Sequence, residues 1–109
     1  MKEFPNDADG DALRLVADAG ADMSRPMKID YAVAVPDEAT GHSIASKAEA
    51  FGYDCEVALD GESGEWTCYC SKMMLASYDG VISCQDELDI IAKPMSGFTD
   101  GWGTFGNVD

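Results

Sequence analysis

The sequence predicts an α+β fold, a ferredoxin-like βαββαβ sandwich with an additional N-terminal helix. Alternation of large apolar residues with small or polar ones over most of 27–35, 53–59 and 66–74 has the period of a half-buried strand. Two segments with apolar residues at helical spacing separate and follow these strands, each opened by a capping residue and closed by glycine or proline. The resulting order is the split βαβ plan, in which helices cover one face of an antiparallel sheet and leave the other bare.

The elements follow in order. "DADGDALRLVADAG" reads as a short helix capped near Asp9, with Leu13, Val16 and Ala17 on one face and Gly20 as the stop. Asp7, Asp9 and Asp11 do not make a calcium loop, because positions six and twelve counted from Asp7 hold Ala12 and Asp18 rather than glycine and glutamate. After Pro26, "MKIDYAVAV" sets Ile29, Tyr31, Val33 and Val35 on one side and Asp30, Ala32 and Ala34 on the other. Pro36 ends this strand. Asp37 caps a helix expected to run to Gly52, with Ile44, Ala48 and Phe51 turned inward. "YDCEVAL" and "WTCYCSKMM" form a hairpin across the glycine-bearing "DGESGE". Trp66, Cys68 and Cys70 share one face of its second strand, and Thr67, Tyr69 and Ser71 the other. A last helix, capped by Ser77 and stopped before Pro94, carries Val81, Cys84, Leu88 and Ile91 in one stripe. A glycine-rich segment closes the chain.

The 109 residues are read as one domain spanning 1–109, of which 1–8 form a flexible leader. A 46% hydrophobic content is that of a globular chain. Seven Lys plus Arg against 21 Asp plus Glu give a formal net charge of -14, which repels phosphate backbones and attracts basic partners. Direct nucleic-acid binding is not expected. With no stretch approaching the roughly 20 apolar residues of a membrane span and no apolar signal core, the chain is expected to be cytoplasmic.

Sites of chemistry are scarce. Gly101, Gly103 and Gly106 have the G-x-G-x-x-G spacing, but neither the helix nor the downstream acidic residue of a dinucleotide site follows them. His42 reads as a solvated surface residue, since no nucleophile is spaced to meet it. A zinc site would need Cys55, Cys68, Cys70 and Cys84 to converge from separate elements. All four fall on helix-facing positions and read as small hydrophobes with free, metal-free thiols. No catalytic residue, cofactor or metal is therefore expected.

The face without helices carries Asp30, Ala32 and Ala34 beside Thr67, Tyr69 and Ser71, with Asp54 and Glu56 further out. RNA-binding domains of this topology need aromatic and basic residues there; this face instead offers carboxylates to arginine forks and a ring to their planes. Asp30, Asp54, Glu56 and Tyr69, with Asp100 and Trp102 of the terminal motif, are the candidate partner-binding residues. Trp102 reads equally well as an interface anchor or as core. Two alternatives stay open: the N-terminal helix or a second copy covers this face, or the domain is a small-ligand or self-association module.

"DGDALRLVADAG" at 9–20, "MKIDYAVAVPDE" at 27–38 and above all "DGWGTFG" at 100–106 resemble the RraB family, regulators of ribonuclease E activity. The resemblance runs in order along nearly the whole chain. It implies a ferredoxin-like, non-enzymatic inhibitor that binds a bacterial endoribonuclease of the ribonuclease E type outside its catalytic centre and slows or redirects RNA decay.

Overall fold

A computed structural model describes residues 7–104, 106 and 107. The expected leader falls largely outside these residues. The order is α1 (Ala8–Asp18), β1 (Met27–Val35), α2 (Glu38–Glu49), β2 (Asp54–Leu59), β3 (Trp66–Met74), α3 (Tyr78–Ala92), a 3-10 turn (Lys93–Met95) and β4 (Phe98–Thr104). The four strands form one antiparallel sheet in the order β2-β3-β1-β4. The ferredoxin-like arrangement with an added N-terminal helix is thus present.

Strand β1 is the axis of the molecule. Its odd-numbered residues Met27, Ile29, Tyr31, Val33 and Val35 are all buried; the even-numbered ones alternate with them toward the opposite face. Ile44, Ala45 and Ala48 of α2, Val81, Leu88, Ile91 and Ala92 of α3, and Leu13 of α1 complete the core on the helix side. At Gly41, α2 comes so close to β2 that an added Cβ would lie 2.9 Å from Val57 Cγ1, nearer than packed carbons tolerate. Pro36 bounds β1, and Asp37 caps α2 by accepting the Thr40 N–H at 2.7 Å. Ser77 does the same for α3 by accepting from Gly80 at 3.1 Å.

Two expected boundaries differ. Helix α1 is capped by Asp7, which accepts the Gly10 N–H at 2.8 Å, not by Asp9. Helix α2 ends at Glu49, short of Gly52, whose φ of 95° terminates the chain reversal. Phe51 falls in that reversal and is exposed rather than inward, because the helical spacing that would turn it inward has already been lost.

Candidate functional site

On the side away from the helices, strand pairing sets the outward residues in rows across the sheet. One row runs Asp54, Ser71, Asp30, Gly103; the next runs Glu56, Tyr69, Ala32 and then the pair Asp100–Gly101; a third runs Ala58, Thr67, Ala34, Phe98. Tyr69 is therefore flanked by Glu56 on β2 and by Ala32 on β1, with Asp54 and Asp30 in the adjacent row. Lys28, Asp30, Asp54, Cys55, Glu56, Tyr69 and Ser71 line one shallow depression. Asp30, Ala32, Tyr69 and residues 100–104 line a second of about 500 Å³. Its floor is shallow because Ala32, Gly101 and Gly103 carry almost no side chain.

Five of the six expected residues share this face. Asp54, Glu56 and Asp100 are exposed, and Tyr69 is 42% exposed. Asp30 is half-buried and accepts a short hydrogen bond from Ser71 Oγ, so its carboxylate is oriented along the sheet and already partly engaged. Helix α1 does not cover the face: it packs against α3 on the opposite side. Phe98, 52% exposed in the third row, was not singled out from sequence, since the glycines of β4 hide its alternation.

Trp102 lies elsewhere. Between the pairs Val33–Thr99 and Tyr31–Trp102 the register shifts, so that Asp100 and Gly101 together oppose Ala32. This is a β-bulge, and Gly101 adopts a φ of 105° within it, a conformation that suits glycine. The extra residue turns Trp102 to the helix side, where it packs on the core. Its indole N–H donates to Asp9 Oδ1 at 2.9 Å, and Gln85 of α3 donates to the same oxygen at 3.0 Å. Asp9, freed from capping, thus ties α1, α3 and β4 together. Tyr78 Oη donates to Asp7 Oδ2 at 2.6 Å and fastens the start of α1; this bond and the Gly10 N–H hold the Asp7 carboxyl below its ordinary value. Asn107 fastens the segment before β1: its side chain accepts from the Asp22 N–H at 2.9 Å and donates to the Asp22 carbonyl at 3.0 Å. Phe105 lies outside the described residues.

On the helix-facing side three thiols come together. Cys55 and Cys70 are direct cross-strand partners with sulfurs 3.6 Å apart, and Cys68 Sγ lies 3.7 Å from Cys70 Sγ. Burial pushes the Cys55 thiol up to about 11. The hydrogen bond between Cys68 and Cys70 holds Cys68 below its usual value and pushes Cys70 up. The sequence reading placed these cysteines on the correct face but not in mutual contact. Cys84 stands apart, its Sγ 3.7 Å from Met74 Sδ.

The family model described as "Regulator of ribonuclease activity B" matches residues 6–104, nearly the entire chain. The chain belongs to the RraB family. No curated protein matches it in a comparison of sequences. The matched span contains every strand and helix among the described residues, including the bulged β4 that carries most of the "DGWGTFG" motif. Membership in the RraB family makes the chain a protein regulator of ribonuclease activity. No described helix is long and apolar enough to cross a membrane.

Proposed function

We propose that this chain is a non-enzymatic, cytoplasmic regulator that slows or redirects RNA decay by docking the open face of its sheet on a basic segment of an endoribonuclease of the ribonuclease E type, away from that enzyme's catalytic centre. The observation that supports this reading most is the arrangement around Tyr69. Exposed Asp54 and Glu56 stand on one side of its ring, half-buried Asp30 in the adjacent row, and exposed Asp100 beyond Ala32. Arginine suits such a surface, because its planar fork pairs with a carboxylate while its face stacks on a ring. The overall charge of -14 adds a long-range attraction that speeds encounter.

The face also disfavours RNA itself. Its tyrosine lies among carboxylates, so stacking a base there would bring phosphates against negative charge.

Reversal of charge at exposed positions tests the reading without disturbing the fold. Asp54→Lys together with Glu56→Lys is expected to lower the association rate with the endoribonuclease by roughly tenfold at low ionic strength, and by much less at high salt. Unchanged association at low salt, with the circular dichroism of the parent chain, would move the contact off this face. Co-purification of the chain with itself alone would favour the self-association module instead.

A further inference from the structure

The helix-facing side of the β2–β3 hairpin holds a feature that regulation through the opposite face does not use. We propose that Cys55, Cys68 and Cys70 form a three-thiolate site for a soft d10 metal ion, Zn2+ or Cu+. The sulfurs all lie within 4.8 Å of one another, with the two closest separations at 3.6 and 3.7 Å. A metal at about 2.3 Å from each sulfur requires sulfurs roughly 3.8 Å apart in tetrahedral geometry and about 4.0 Å apart in trigonal geometry. Two of the three separations stand close to those values, and the third is within 4.8 Å. Thiolate is the ligand that zinc and cuprous ions share, and hard cations such as magnesium reject it.

The backbone sets this geometry. Cys55 and Cys70 are paired across the hairpin, and Cys68 is two residues from Cys70 on the same face of β3, so all three rest on one rigid ladder rather than on a loop. Cys68 and Cys70 are fully buried beneath the helix layer, while Cys55 is half-buried on edge strand β2. The edge provides the way in. Three protein ligands leave one coordination position open, as in zinc sites that exchange a ligand. On uptake each metal–sulfur bond replaces an S–H bond and the protons leave to solvent; neither sulfur nor metal changes oxidation state.

The test uses the full chain, reduced and metal-stripped. Titration with Co2+ is expected to give thiolate-to-cobalt charge-transfer absorption saturating at one ion per chain. Zn2+ and, anaerobically, Cu+ are each used to displace the cobalt, and whichever displaces it at stoichiometric concentration is the ion the site takes. Cys55→Ala, at the half-buried position, is expected to weaken binding by at least about tenfold, whereas Cys84→Ala leaves it unchanged. In the unsubstituted chain, one equivalent of metal is expected to protect Cys55 from alkylation, a readout that does not depend on any variant folding. Absence of the charge-transfer band, binding that survives Cys55→Ala, or unchanged alkylation of Cys55 would each overturn the site and leave the three cysteines as core residues.

Discussion

The two faces of the sheet are built from the same four strands, and adjacent residues separate them. Toward the helices, Tyr31, Val33, Cys68 and Cys70 are fully buried. One residue along, Ala32, Ala34 and Tyr69 meet solvent in varying degree beside Asp54 and Glu56. The inner face is closed by aromatic rings and sulfur, with Tyr31 edge-on to Tyr53 at 6.3 Å and its hydroxyl donating to Met74 Sδ at 3.2 Å. The outer face is composed of carboxylates and very small side chains. Along each regular strand the parity of a residue number therefore decides whether a side chain enters the core or stands on the open face, and a one-residue slip in register would exchange the two.

Substitution with the same residue on either face is expected to break the symmetry most sharply. Val33→Asp places an unpaired carboxylate in the core and should destabilise by about 4 kcal/mol or more, leaving no cooperative thermal transition. Ala34→Asp, its neighbour, should retain a cooperative transition.

The glycines of β4 give the next contrast. Gly101→Ala forces a side chain onto a residue with φ of 105° and should cost about 1–2 kcal/mol. At Gly103 φ is not positive and an added Cβ would meet no atom within 4 Å, so Gly103→Ala should change stability by less than about 0.5 kcal/mol. Denaturant midpoints measured side by side would distinguish them; equal losses would contradict the bulge.

Trp102→Phe keeps an aromatic side chain, though a smaller one, and removes the N–H that donates to Asp9. A loss of about 1 kcal/mol is expected, with unchanged association with the ribonuclease; impaired association at full stability would instead make Trp102 part of the recognition surface.

The smallest effect concerns pH. Asp7, which accepts from the Tyr78 hydroxyl and the Gly10 N–H, and Asp37, which accepts from the Thr40 N–H, have carboxyls held below the ordinary 3.8. A depressed folded-state value contributes stability that is present above 3.8 and is lost as pH falls through the folded value. Acid unfolding should therefore be shallower below pH 3.8 in Asp37→Asn than in the parent chain.

How far the sequence could be read differs with the source of order. Strand β1 was legible in full, since Ile29, Tyr31, Val33 and Val35 alternate between two prolines. The facing of Cys55, Cys68 and Cys70 was legible by the same alternation. Their convergence was not, because it depends on the Cys55–Cys70 register that the Asp60–Glu65 loop imposes. Trp102 defeated parity altogether: Phe98, Asp100 and Trp102 share an even number and a simple alternating strand would align them, but the bulge reverses the last. Asp9 sat in an acidic run that offered several caps, and only tertiary contacts with Gln85 and Trp102 distinguish it from Asp7.

The bulge has a further consequence at the sheet's margin. Strands β2 and β4 are the outermost, and a regular outer strand presents unpaired amides and carbonyls on which another chain can grow a fifth strand. Asp100 and Gly101 interrupt that template on β4, and Asp54 and Glu56 place charge along the six-residue β2. Bulges and charge at a sheet margin are features that disfavour edge-to-edge pairing with another chain. The broad open face is thereby separated from the sheet's growth points: a partner that docks on it meets side chains, not the unpaired amides and carbonyls of a strand edge.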